Sequence, residues 1–259
     1  MQFLKYYILL LIRVINSNFF YFRNKKKISK ILLSKGVSGV KPFNKNRWHH
    51  NLYTFTGVFL FNQKVFIKVS NVPGVLSNEN EAYSILGDIS VLDKYLIKRI
   101  QFFNFKPFDF LVIDFLEGET LSETWMLNNI DNLPILIKIV EEINNLFLIH
   151  RDIKLDNFII HNNQIKIFDF TFMLQTNSET NLKELDLDQK SNLTMLMDLG
   201  DELKPSIYRW DDYYSMYMIF NKFFKKNKEK LSEEEFFLII SYIEKCKEKI
   251  NSNSYSILK

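Results

Sequence analysis

The run His150-Arg151-Asp152-Ile153-Lys154-Leu155-Asp156-Asn157, followed after a short apolar stretch by Asp169-Phe170, decides how the rest of the chain is read. It offers a carboxylate at Asp152, an ammonium at Lys154, an amide oxygen at Asn157 and a second carboxylate at Asp169. Phosphoryl transfer asks for such a set: a carboxylate to orient the attacking hydroxyl, a cation on the phosphates, and oxygen ligands for a divalent ion. Hard cations prefer oxygen, so Asn157 and Asp169 are the expected magnesium ligands. Asp152 is the expected base, and Lys154 the expected cation beside the transferring phosphate. Between these groups, Phe158-Ile159-Ile160 and Ile165-Lys166-Ile167-Phe168 read as short strands around the polar break His161-Asn162-Asn163-Gln164. Such a hairpin brings Asn157 and Asp169 to one place.

These residues resemble the H-R-D-L-x-x-x-N catalytic loop of protein kinases, with Ile153 for the leucine, and the first two residues of their D-F-G metal loop. The resemblance implies an α+β, two-lobed protein-kinase-like fold, with a small antiparallel β N-lobe and a mainly helical, shortened C-lobe. It implies ATP and Mg2+ as cofactors, and it gives His150 a packing role within the catalytic core. Thr171 stands where the family has glycine; a β-branched residue lacks glycine's freedom at positive φ, so loop flipping is not expected.

Upstream, Tyr53 to Phe61 and Lys64 to Val69 read as two β-rich strands joined at Asn62-Gln63. Lys68, in Val65-Phe66-Ile67-Lys68, resembles the lysine of the kinase V-A-I-K strand, which pairs the nucleotide phosphates. A helix over Asn78 to Leu86 supplies its partner: Glu81 is the choice here and Glu79 the alternative, since spacing does not separate them. Leu111-Val112-Ile113-Asp114-Phe115-Leu116-Glu117-Gly118 resembles the inter-lobe hinge. Ile113 would back the adenine pocket, and the Asp114 and Leu116 backbones would bond the base. No G-x-G-x-x-G occurs in the chain; only Gly57 lies near the expected flap, with Gly36 and Gly39 further back.

Charge is divided sharply. Residues 1 to 78 hold 13 Lys or Arg and no Asp or Glu, so the chain opens at +13 and the remainder sums to −9. A basic segment of this kind faces an anionic partner or offsets an acidic one. Met1 to Ile15 is strongly apolar but broken by Lys5 and Arg13, and its unbroken apolar core is far short of the roughly 20 residues a membrane span needs. Followed by Lys25-Lys26-Lys27, it reads either as an interfacial helix on an anionic membrane surface, through residues 1–30, or as a helix packed on the catalytic unit. The single Cys246 excludes an internal disulfide and points to a reducing, cytoplasmic setting; the interfacial reading of residues 1–30 would place the chain peripherally on the inner face of the membrane.

The expected divisions are an extension over 1–46, an N-lobe over 47–113 and a C-lobe over 114–259. Leu133 to Leu148 shows helical spacing into His150, a further helix is expected over Lys183 to Leu199 before Pro205, and Trp210-Asp211-Asp212-Tyr213-Tyr214-Ser215 resembles the kinase D-x-W-S helix start, with Asp212 bracing the catalytic loop. No A-P-E motif occurs. The short carboxyl end is similar to compact bacterial kinases of lipopolysaccharide core sugars, including the heptose kinase group. Transfer to a sugar of a membrane-linked glycan is therefore the leading expectation. A Ser/Thr protein kinase and a pseudokinase scaffold are the alternatives, and a nucleic-acid partner is not expected.

Overall fold

The computed structural model describes residues 2–44, 48, 52–72, 74–175 and 211–252. The expected helix over 183–199, Pro205 and Trp210 lie outside the described residues. The chain divides into two compact units, one formed by Met1–Tyr83 with Ile97–Leu116, the other by Ser84–Leu96 with Glu117–Lys259.

In the first unit, α1 (Gln2–Ser34) leads into β1 (Ser38–Pro42), β2 (Leu52–Phe59), β3 (Gln63–Ser70), β4 (Arg99–Phe105) and β5 (Phe108–Asp114); α2 (Val75–Gly87), between β3 and β4, belongs to it up to Tyr83. The strands form an antiparallel sheet in the order β1-β2-β3-β5-β4. Alternation along a strand sends neighbouring side chains to opposite faces. Val65, Ile67 and Val69 of β3 therefore point one way and are buried, together with Phe20, Ile28, Ile31 and Leu32 of α1. Phe20, Ile28, Ile31 and Leu32 thus pack into this core, while the side chains of residues 1–14 lie outside those described. Phe20 stacks on Tyr53, and Trp48 meets Tyr53 and Phe55. The Trp48 indole N–H is satisfied by the Phe43 carbonyl and the Thr54 hydroxyl, each at 3.0 Å, as a buried indole requires.

The strand turn predicted at 62–63 forms as a short 3-10 turn, Leu60–Asn62, with φ of 58° at Phe61 and 64° at Asn62. Gly57 is a packing glycine. A Cβ there would lie 2.8 Å from Val37 Cγ1 and 3.0 Å from the Ser38 carbonyl oxygen, so its small size lets β1 approach β2 where their register shifts.

The second unit contains α3 (Ser90–Asp93), β6 (Glu119–Thr120), α4 (Glu123–Asn128), α5 (Pro134–Asn144), β7 (Leu148–Ile149), β8 (Phe158–His161), β9 (Gln164–Ile167), β10 (Leu174–Gln175), α6 (Asp212–Asn227) and α7 (Glu233–Ser252). Its strands form two small sheets, β6-β8-β9 and β7-β10. Helix α5 begins with proline at its first turn, where the missing N–H costs nothing, and buries Leu136, Ile137, Ile139, Val140 and Ile143. It ends four residues before the predicted Leu148, because the chain turns through Phe147 at φ 56° to enter β7. Helices α6 and α7 contribute Phe220, Phe223, Ile239 and Ile250 to the buried core. Cys246 is fully buried among them, and burial pushes its thiol up to about 12, which leaves it a core residue and not a nucleophile.

Candidate active site

Loop 150–157 is held from below by one buried carboxylate. Asp212, at the first turn of α6, accepts from the His150 N–H at 2.7 Å, from the Arg151 N–H at 3.0 Å and from Asn144 Nδ2 at 3.2 Å. Burial pushes its carboxyl above the usual range, against the pull of His150 and these donors. The brace matters because Arg151 sits at φ 67°, a conformation that costs a non-glycine residue about 1–3 kcal/mol and persists only where surrounding bonds determine it. His150 is sealed in the core. Its Nε2 lies 3.1 Å from the Phe168 carbonyl, its Nδ1 lies 3.3 Å from the Asp152 N–H, and its ring packs against Phe170. Tying both ring nitrogens to the backbone links the loop to the segment before Asp169.

Three of the side chains singled out from the sequence meet on this loop. Lys154 Nζ lies 2.6 Å from Asp152 Oδ2, and Asn157 Nδ2 donates to the same oxygen at 2.9 Å and to the Asp152 carbonyl at 2.8 Å. Asp152 and Asn157 are buried, while Lys154 is about one-third exposed. Because the Asn157 amide nitrogen is occupied twice on Asp152, its Oδ1 is the atom left to face a cation. The 158–167 hairpin forms as predicted, with Asn162 and Asn163 taking the positive φ of a tight turn. It sets the Phe168 N–H 3.0 Å from the Asn157 carbonyl, which places Asn157 opposite the residue that precedes Asp169.

Asp169 adopts φ 67°, ψ 58° and opens a 3-10 turn over Phe170–Phe172. Thr171 is buried, and its hydroxyl donates to Asp169 Oδ1 at 2.8 Å. The residue that departs from the family motif thus orients the carboxylate by a side-chain hydrogen bond, which glycine could not supply. Asp169 and Asn157 together suit magnesium, which is bound through one or two carboxylates and keeps several waters or phosphate oxygens. Among the described residues no cluster of three His, Cys, Asp or Glu side chains could hold a metal.

In the first unit, Lys68 Nζ lies 2.9 and 2.8 Å from the two carboxylate oxygens of Glu79, with both side chains buried. This corrects the choice of Glu81, which is exposed on the opposite side of α2. A helix advances 100° per residue, so positions 79 and 81 point some 200° apart. Glu79 shares its face with the buried Leu76, Ala82, Tyr83 and Leu86. That carboxylate set within an apolar stripe was the signal available in the sequence.

Ile113 is buried in β5, opposite Phe66 of β3 and Arg99 of β4. The Asp114 N–H donates to the Lys98 carbonyl at 2.9 Å and its side chain accepts from Gln63, while the Phe115 N–H donates to the Lys64 carbonyl. The Asp114 N–H is therefore committed within the sheet, and its carbonyl is the backbone group left to a base; Leu116 ends this unit. Sequence reasoning missed an aromatic group beside these positions. Phe66 stands where the V-A-I-K motif has alanine, on the same face of β3 as Lys68, and meets Phe43 edge-on at 5.4 Å; Phe43 meets Phe115 at 6.0 Å, and Lys64 Nζ lies 4.1 Å over the Phe115 ring. Only the fold brings residues 43, 66 and 115 together.

No protein-family model and no curated protein matches the chain. Solved structures do match it. One is the crystal structure of a kinase domain, 11% identical, with a TM-score of 0.51 over 72% of this chain and 62% of that one. At such identity the likeness concerns the fold, which is α+β and protein-kinase-like.

Proposed function

We propose that the chain is a phosphotransferase that moves the γ-phosphate of Mg-ATP to a hydroxyl of a sugar on a membrane-linked glycan. The observation that carries this reading is the held state of Asp152: a buried carboxylate fixed by the Asn157 amide and the Lys154 ammonium, on a loop braced by Asp212. A carboxylate so placed orients an acceptor hydroxyl and takes its proton as the bond to phosphorus forms. Lys154 is within hydrogen-bond reach of Asp152 and one-third exposed, so it is placed to neutralise the phosphoryl group in transit. Lys68, held by both carboxylate oxygens of Glu79, is assigned to the nucleotide phosphates. Asn157 and Asp169 would hold magnesium, whose contribution is to neutralise charge on the β- and γ-phosphates.

The assignment to a glycan acceptor rests on the basic, apolar residues 1–30, proposed to face an anionic membrane surface from the cytoplasmic side. A scaffold that keeps the fold without useful turnover is the second reading, motivated by Thr171 in place of glycine and by the absence of a G-x-G-x-x-G flap. One experiment separates the readings. Purified protein is incubated with labelled ATP, magnesium and either glycan-bearing membrane extract or a generic protein acceptor, beside the Asp152→Asn variant. Label is expected in the glycan fraction, with a loss of about 10²–10⁴-fold in the variant. Label in protein alone selects a protein kinase, nucleotide binding without transfer selects the scaffold, and equal rates for both proteins overturn the role of Asp152.

A further inference from the structure

Helix α1 carries two apolar faces. One, with Phe20, Ile28 and Ile31, is buried in the first unit. The other is exposed: Ile15, Phe19, Phe22 and Leu33 present 56%, 65%, 66% and 64% of their surface to solvent. Spacings of four and three residues align Ile15, Phe19 and Phe22 on one line of the helix, and at 100° per residue that line lies roughly half a turn from the buried face. The sequence carries the same spacing upstream through Ile12 and Ile8. Large apolar residues in a row on a solvent-facing helix mark an interaction site, whereas scattered ones do not.

The charged residues of this helix are all basic. Arg23, Lys25, Lys26 and Lys30 follow it on the helix, and no acidic residue occurs before Glu79. Lys25 Nζ lies 5.4 Å from the Phe22 ring centroid and 5.9 Å from that of Tyr21. A lysine lying along aromatic surface with its ammonium outward suits an interface that is apolar below and anionic above.

We propose that this outward face of α1, centred on Ile15, Phe19 and Phe22 and flanked by Arg23, Lys25 and Lys26, docks the protein on an anionic lipid bilayer, with the helix lying in the plane of the headgroups. This deepens the membrane-facing part of the preceding reading and does not depend on turnover. Charge decides among occupants. A second copy would set two strongly basic helices against each other, with Lys26 near the seam, which opposes pairing. Nucleic acid would satisfy the lysines but offers no sink for Ile15 or Leu33. A bilayer with anionic headgroups satisfies both. Among the described residues no helix is long and apolar enough to cross a membrane, consistent with a helix that lies on the surface.

The test is flotation of the full chain with vesicles of phosphatidylcholine alone or with about one-third phosphatidylserine, at physiological salt. Wild-type protein floats with the anionic vesicles only. The variants Phe19→Ser/Phe22→Ser and Lys25→Glu/Lys26→Glu, in which Phe19, Phe22 and Lys26 are exposed and Lys25 is half-buried, each bind at least about tenfold more weakly while melting as wild type. Wild-type protein that stays with the soluble fraction, or a Phe19→Ser/Phe22→Ser variant that floats as well as wild type, overturns the proposal. So does light scattering that finds a dimer converted to monomer by Phe19→Ser/Phe22→Ser, or binding to duplex RNA without flotation. ATP turnover on a soluble acceptor, measured on the same samples, is unchanged by these substitutions. Failure of docking is therefore distinct from failure of the phosphotransfer reading.

Discussion

Replacing Glu79 by alanine tests the structure and the chemistry of the first unit together. Glu79 is fully buried and Lys68 is 5% exposed, and both carboxylate oxygens lie within 3 Å of the ammonium. Removing the carboxylate leaves a cation in a site from which water is largely excluded, and breaking a buried pair in this way costs about 3–5 kcal/mol. For a chain of this size each kcal/mol moves the melting point by about 2–4 °C, so Glu79→Ala is expected to melt roughly 6–20 °C below wild type. The exposed Glu81 serves as control: Glu81→Ala should stay within about 0.5 kcal/mol of wild type. A third variant separates stability from function. Lys68→Met with Glu79→Leu removes both charges, and apolar replacement of a buried pair is commonly neutral or stabilising. It should recover most of the lost melting temperature without restoring ATP turnover, because the cation proposed for the nucleotide phosphates is gone. Differential scanning fluorimetry and coupled ADP release measure both quantities on one preparation. The reasoning is refuted if Glu79→Ala melts with wild type, or if the fall appears in Glu81→Ala instead.

Two further outcomes follow from the same coordinates. Asp211 caps α6 by accepting from the Tyr214 N–H at 3.0 Å, while its other oxygen is buried without a hydrogen-bond partner among the described residues. Burial first, and the Asp212 charge with it, raise its carboxyl to about 7 from an ordinary 3.8. A raised acid keeps in the folded state a proton that the unfolded chain has released, so its stabilising contribution is complete below about pH 4 and lost as pH rises through about 7. Asp211→Asn, which keeps a capping oxygen, should thus out-melt wild type at pH 8 and converge with it towards pH 4; a gap that does not change with pH contradicts this. Gly57→Ala should lower stability by about 1–3 kcal/mol, because the new methyl meets the Ser38 carbonyl, which cannot swing away. If melting is unchanged and only the KM for ATP rises, Gly57 serves phosphate approach and not strand packing.

The chemistry of loop 150–157 was legible because it is local. Asp152, Lys154 and Asn157 lie within five residues of one another, the hairpin that follows has its own strand and turn signals, and short-range spacing then determines which groups meet. The order of strands, α2, strands, loop 150–157 and late helices was legible for the same reason, since each element carries its own periodicity. Asp212 was also named correctly as the brace, through its resemblance to a helix-start motif, although its bonds to His150 and Arg151 span some 60 residues.

What tertiary structure decided were choices between locally equivalent residues and contacts among distant ones. Glu79 and Glu81 are alike in spacing from Lys68, but the phase of α2, set by burying Leu76, Ala82 and Leu86, turns one inward and the other to water. Gly57 looks like a remnant of a phosphate flap until Val37 and Ser38 are seen pressed against it. Phe43, Phe66 and Phe115 belong to three separate segments and form a cluster only because the sheet sets β3 between β2 and β5. Composition alone made the amino-terminal helix apolar and basic all round; only its place in the core of the first unit showed which apolar residues that core consumed and which it left facing outward. A local pattern determines which groups are offered, whereas the competition for buried surface, settled by the whole fold at once, determines which of them are used.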